Sequence, residues 1–358
     1  MMGVKEVLAK NFPTSSSAVI FLLYMTMFVA QGMLVTASRH GATGYTYNTV
    51  TVVLLTEGLK LLLSSGVYLR DKTATSLVEE VVRWVKLYSF QSKTLRNRQV
   101  LLLYFVPATL YCLYNNLSFL SLSYFDPTSY FMFMQTRLLL TGLIYQILFS
   151  KRLSMKQWGS LVLLTIGCMV HARGTASGDA SSTVLAASWS VLGVGLVFVF
   201  TQVLCSVFAG VYNEYLIKGK GADIDIMIQN VFMYLDSIAC NMLLLGVKGD
   251  LSTAFTFEAL ASIANPFVLI LIVNNAVLGI VTSLFLKQLN SVLKAFASAL
   301  EMVFTALLSW PLLGVPLTLH TAAALVAICT AVVIYAQNPV ASPTTTSHRE
   351  PEKASEKV

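Results

Sequence analysis

The chain has 358 residues, of which 56% are hydrophobic and only 11% charged, and its mean hydropathy is +0.71. Soluble domains carry about 25% charged residues, so a water-soluble globular domain is excluded. The formal net charge of +7 comes mostly from basic links between apolar runs, and without an aromatic-interleaved basic groove it does not point to nucleic acid.

Met1–Ser17 carries Lys5, Glu6, Lys10 and Pro13, and no small-residue cleavage site follows it. This segment is expected to be a cytosolic N-terminus rather than a signal peptide. A spanning helix needs about 17–25 apolar residues, and ten such runs follow: Ala18–Ser38, Tyr47–Leu69, Val100–Leu122, Tyr130–Phe149, Trp158–His171, Trp189–Leu216, Ile226–Val247, Pro266–Phe285, Ser291–Leu313 and Thr318–Ala336. The second contains Glu57 and Lys60, an i, i+3 couple that most simply neutralises itself. Between the second and third runs, Leu77, Val78, Val81, Trp84, Val85 and Tyr88 recur at helical spacing, which predicts a short surface helix over Ser76–Tyr88. Asn116-Leu117-Ser118 matches a glycosylation sequon but falls inside the third run.

Basic residues are distributed unevenly over the links. One side receives Lys5, Lys10, Arg70, Lys72, Arg83, Lys86, Lys93, Arg96, Arg98, Lys151, Arg152, Lys156, Lys218, Lys220 and the tail cations, whereas the other receives Arg39, Arg173 and Lys248. The positive-inside rule then places both termini in the cytosol. The tail 337–358, with its prolines, threonine run and alternating charges, reads as disordered.

The chain also repeats itself. Thr136–Ala172 read against Leu300–Ala336 aligns Thr141 with Thr305, Leu153 with Leu317, Ala172 with Ala336 and Arg137 with Glu301. Doubled asparagines, Asn115-Asn116 and Asn274-Asn275, occur once in each half. Two similar halves of five helices must insert in opposite orientations, an arrangement that builds carriers with a site at the bilayer midplane. The expected fold is thus all-α integral membrane, with ten transmembrane helices as two inverted five-helix repeats. The first repeat occupies 18–172 and the second 189–336, joined by a luminal linker at 173–188.

Charges inside such runs cost about 2.5–3.5 kcal/mol each on insertion scales and by default face a cavity. Arg137 lies in the fourth run, and Lys294 and Glu301 in the ninth. Around them the third run offers Tyr111, Tyr114, Asn115 and Asn116, and the fourth offers Tyr130, Gln135 and Thr141. The seventh offers Gln229, Asn230, Tyr234, Asp236 and Ser237, and the ninth Ser291 and Ser298. Tyrosine faces can stack a base, amides can bond its edges, and an arginine with a lysine can hold phosphates. That inventory suits a nucleotide. Each residue also has a plainer role, since tyrosines pack bundles or anchor interfaces, and Arg137 with Glu301 could pair as a lock across the bundle.

Catalytic chemistry is not indicated. There is no Gly-rich phosphate loop, HExxH or GxSxG, and His40, His171, His320 and His348 lack metal spacing. The five cysteines show no CxxC pattern and read as packing residues. Neither an enzyme nor a cofactor or metal is expected.

Tyr111–Asn116, Phe125-Asp126-Pro127-Thr128, Arg137, Ser154–Trp158 and Gly167, followed by Phe208–Glu214, Gln229-Asn230 and Lys287–Ala297, resemble the signatures of the Golgi nucleotide-sugar transporters, the UDP-galactose and CMP-sialic acid branch of the drug/metabolite superfamily. Tyr47–Glu57, Lys220–Asp223 and Gln229–Ser237 resemble its animal UDP-galactose members. The resemblance implies an antiporter in the Golgi membrane that carries a nucleotide sugar, UDP-galactose before CMP-sialic acid or UDP-N-acetylglucosamine, into the lumen in exchange for a nucleoside monophosphate, UMP. It places the nucleotide site on Tyr111, Asn115, Tyr130, Arg137, Asn230, Tyr234 and Lys294. Arg137 stands where relatives carry lysine, and Asp236 and Glu301 are departures, read here as sugar-hydroxyl ligands or, for Glu301, as a holder of Arg137 in the empty site. The alternative of another class is a scaffold of the same fold that transports nothing and organises glycosyltransferases or other transporters. A homo-oligomer and a glycosyltransferase partner both stay open.

Overall fold

The computed structural model describes residues 11–12, 14–38, 49–71, 95–124, 130, 133–174, 189–249, 255–313 and 318–338. The predicted surface helix Ser76–Tyr88, the luminal linker, the Phe125-Asp126-Pro127 crossing and the tail beyond Asn338 lie outside these residues.

Every one of the ten apolar runs contains a helix: α1 Ser15–Ser38, α2 Thr49–Asp71, α3 Leu95–Tyr124, α4 Arg137–Phe149, α5 Met155–Gly174, α6 Trp189–Tyr215, α7 Ile226–Lys248, α8 Pro266–Gln288, α9 Ser291–Leu313 and α10 Leu319–Gln337. A π-helical turn, Leu216–Lys220, continues α6, and a six-residue helix, Phe257–Ser262, precedes α8. No strand occurs among the described residues. Seven of the helices, α1, α2 and α6–α10, are long and apolar enough to cross a membrane. Helices suit this composition because lipid offers the backbone no hydrogen-bond partner, so each segment must satisfy its own.

Local chemistry sets the ends. The Asp225 carboxylate accepts from the Met227 N–H at 2.8 Å to open α7, and Gly249, at φ 77°, closes it in the left-handed region. Asn265 caps α8 by accepting from the Phe267 N–H at 3.0 Å, with Pro266 in the first turn. The fourth run is helical at Tyr130 and at Phe133 and Met134, and again from Arg137; between them lies a turn at Gln135 and Thr136 in which the Thr136 N–H bonds the Phe133 carbonyl at 3.1 Å and the Leu138 N–H that of Gln135 at 3.1 Å. The Thr136 hydroxyl donates to the same Phe133 carbonyl at 2.7 Å, a side-chain competitor that helps hold the break.

Packing joins helices far apart in sequence. The closest partners are α5 with α10, α3 with α6, and α1 with α8, followed by α2 with α7 and α3 with α7. Gly167 permits the α5–α10 approach: a Cβ there would come within 2.9 Å of Ile328 Cγ1 and 3.3 Å of the Ile328 backbone nitrogen. The main core gathers Tyr145, Leu161, Leu164, Val203, Phe285 and Phe296 from α4, α5, α6, α8 and α9. Outward faces stay apolar, with Leu62, Ile147, Val197, Leu243 and Val333 exposed, as a bilayer-facing surface requires.

Candidate functional site

Two adjoining chambers open inside the bundle. The larger, about 430 Å³, is walled by α1, α2, α3, α6, α7 and α8 and lies within the size range of ligand pockets. The smaller, about 110 Å³, is bounded by Arg137, Leu138 and Thr141 of α4, Ser206, Val207, Gly210 and Val211 of α6, and Ser291, Lys294, Ala295 and Ser298 of α9. They meet near Gly210, which lines the small chamber and whose would-be Cβ lies 4.0 Å from the hydroxyl of Tyr111, a large-chamber residue.

The face that α7 presents follows from its helical period. Asn230, Tyr234, Ser237 and Asn241, at i, i+4, i+7 and i+11, all line the large chamber. The Asn230 amide donates to the Ser283 hydroxyl of α8 at 2.8 Å. Opposite them, Lys60 of α2 forms an ion pair with Glu57 at 2.7 Å, and its ammonium lies 5.5 Å from the centre of the Tyr234 ring. The lysine stem crosses Gly279 of α8, where an added Cβ would come within 2.7 Å of Lys60 Cε. A side chain at 279 is therefore incompatible with this path.

The small chamber is electrostatically different. Arg137 and Lys294 share it, and their like charges act on one another. Among the described residues neither has a carboxylate within 4.0 Å, the ion pairs there being Glu57–Lys60 and Glu214–Lys218. Just beyond the chamber, Glu214 is fully committed: it accepts from Lys218 Nζ at 2.8 Å, from the Ser291 N–H at 2.7 Å and from the Ser291 hydroxyl. Lys218 also donates to the Leu289 carbonyl.

Of the residues singled out from sequence, Tyr111, Asn115, Asn230, Tyr234 and Ser237 come together in the large chamber and Arg137 with Lys294 in the small one. Tyr130 is buried, its hydroxyl accepting from Gln202 Nε2 at 2.8 Å, and lines neither. Asp236, 3% exposed, lies two positions from Tyr234 and so about 200° round the helix, off the chamber wall. Glu301 accepts from the Thr305 hydroxyl at 2.9 Å and faces Gly32 of α1; the lock with Arg137 is not among the described ion pairs, because the carboxylate is turned toward α1. The side chain of Asn116 lies outside the described residues. Gln31 was not signalled by sequence, Asn213 only as part of the Phe208–Glu214 segment and Asn275 only as half of a doubled asparagine; all three line the large chamber, as do Glu57 and Lys60.

Comparison with known proteins gives four findings. The family model described as nucleotide-sugar transporter matches residues 14–336. The UDP-galactose transporter senju of Drosophila melanogaster is 46% identical over 92% of this chain and 88% of its own length. CMP-sialic acid transporter 1 of Oryza sativa subsp. japonica is 28% identical over 81% of this chain and 85% of its own. A crystal structure sharing 13% identity superposes with a TM-score of 0.60 over 89% of this chain and 96% of that one, which shows a common fold.

Proposed function

Because the chain belongs to the nucleotide-sugar transporter family, we propose that it exchanges UDP-galactose for UMP across the Golgi membrane, importing the sugar nucleotide into the lumen. The observation that carries this reading is the pair Arg137 and Lys294, contributed by opposite halves of the chain to one small chamber beside a polar one. The name of the 46% identical relative favours UDP-galactose as cargo.

The cycle follows from charge. Phosphates of either substrate enter between Arg137, a planar donor, and Lys294, a point charge. The nucleoside lies in the large chamber against Tyr111 and Tyr234, with Asn115 and Asn230 at its edges. An empty site leaves two like charges facing each other in a low-dielectric interior, a costly state that a bound anion relieves. The loaded carrier reorients readily and the unloaded one slowly, which enforces one-for-one exchange.

Ten spanning helices in two inverted repeats, with both ends in the cytosol, suit such a carrier. The helix pairing supports that arrangement: moving five helices along the chain turns the α1–α8 contact into α6–α3, α2–α8 into α7–α3 and α1–α9 into α6–α4, while α2–α7 and α5–α10 map onto themselves.

The test is counterflow in proteoliposomes. UMP loaded inside is expected to accelerate uptake of labelled UDP-galactose severalfold over empty vesicles. A wild-type protein that shows no such acceleration with any UDP- or CMP-sugar would leave only the non-transporting scaffold.

A further inference from the structure

Most polar groups on the wall of the large chamber already have partners. Asn230 donates to Ser283, Asn241 to the Ser237 carbonyl at 2.8 Å, Thr56 to the Val52 carbonyl at 2.7 Å, Thr282 to the Leu278 carbonyl at 2.7 Å, and Lys60 closes on Glu57. Three buried oxygens do not. Among the described residues, the side-chain carbonyl oxygens of Gln31, Asn213 and Asn275 are buried without a hydrogen-bond partner. Asn213 as a whole is 4% exposed. The three side chains come from different helices, α1, α6 and α8, yet all line the same space. Buried acceptors of this kind are rare in folded proteins and call for a donor.

The chemistry of that donor is narrow. Phosphates supply none. A pyrimidine edge supplies its few N–H groups along one direction and its ribose two hydroxyls on adjacent carbons, which together face one side and do not reach three walls. A hexose carries several hydroxyls pointing in different directions, and each can donate to a carboxamide oxygen while accepting from its NH₂ group. The local charge narrows it further. Lys60, the cation of this chamber, is already neutralised by Glu57, so a carboxylated sugar would meet three acceptors and no unpaired positive charge. We propose that Gln31, Asn213 and Asn275 are specificity determinants that read the hydroxyls of an uncharged hexose, which commits this carrier to neutral rather than acidic nucleotide sugars.

Gln31 and Asn275 form one side of the reader. Asn274 ties α8 to α1 by donating to the Met27 carbonyl at 2.9 Å, so Asn275 and Gln31, one turn beyond Met27, are held at neighbouring levels. The inference rests on the exchange reading above, and its test separates the two. Vesicles loaded with UMP take up labelled UMP, and unlabelled UMP, UDP-galactose or UDP-glucuronate competes. Uptake by the wild type checks exchange itself; the ratios between competitors check the reader. UDP-galactose is expected to compete at about tenfold lower concentration than UDP-glucuronate. In Gln31→Ala and Asn275→Ala the half-inhibiting concentration of UDP-galactose, divided by that of UMP, should rise about tenfold. Where an alanine variant yields no folded carrier, the similar-sized Gln31→Met and Asn275→Leu, which remove the acceptor without opening a cavity, read the same ratio. An unchanged ratio, or UDP-glucuronate competing as well as UDP-galactose, overturns the proposal.

Discussion

The two chambers handle charge in opposite ways. In the large one the cation is closed on its own helix, Lys60 to Glu57 at 2.7 Å, and the remaining wall is neutral amide, hydroxyl and ring. In the small one Arg137 and Lys294 sit together with no carboxylate within 4.0 Å among the described residues, although Glu214 is nearby and fully occupied by Lys218 and Ser291. On the exchange reading proposed above, a buried cation paired with a carboxylate belongs to the architecture, whereas one with no carboxylate within 4.0 Å among the described residues is held ready for a guest. Burial alone does not tell the two apart.

Three experiments sharpen or break that contrast. The largest effect is expected for Glu214→Ala, which strands Lys218 and removes the acceptor of Ser291. Breaking a buried pair from one side costs about 3–5 kcal/mol, so a steep fall in the melting temperature of the detergent-purified protein is expected. Next, Arg137→Ala should lower UMP/UDP-galactose exchange about a hundredfold, equivalent to about 3 kcal/mol, while the melting temperature holds or rises because a like-charge repulsion is relieved. A clear loss of stability there would put Arg137 with the structural charges. The smallest effect concerns α2. Lys60→Met leaves Glu57 unneutralised and should raise the half-saturating concentration of UDP-galactose about fivefold, and adding Glu57→Gln should recover most of it, a coupling of about 1 kcal/mol. If the double variant transports no better than Lys60→Met alone, Lys60 acts on the ligand directly and the contrast fails at that site.

How far the sequence could be read follows from what helical periodicity encodes. Ten apolar runs marked ten helices because lipid-facing and core-facing positions are both apolar, and the run length itself carries the signal. The turn at Gln135 and Thr136 within the fourth run escaped, since the hydroxyl of Thr136 turning back to Phe133 leaves hydropathy unchanged. Within α7, spacing correctly grouped Asn230, Tyr234 and Ser237, and the same wheel sets Asp236 on another side. Glu301 stands apart from the chamber for a different reason. It shares a face with Lys294 but lies two turns further along α9, past the end of the chamber, and sequence gives rotation about a helix better than depth along a wall. Gln31 was invisible, and Asn213 marked only by the segment that holds it, because a lone amide in an apolar run has no period; the convergence of α1, α6 and α8 gives them meaning.

One last consequence follows from the π-helical turn after α6. By widening the coil at Leu216–Lys220 it lets Lys218 reach back to Glu214 and across to the Leu289 carbonyl, while Glu214 grips Ser291. The lower corner of α6 and the bend between α8 and α9 are thus clamped into one rigid block. On the exchange cycle proposed above, that corner would travel as a piece when the carrier changes the side it faces, leaving the α4–α9 contact, where Arg137 and Lys294 share the small chamber, as the seam that parts.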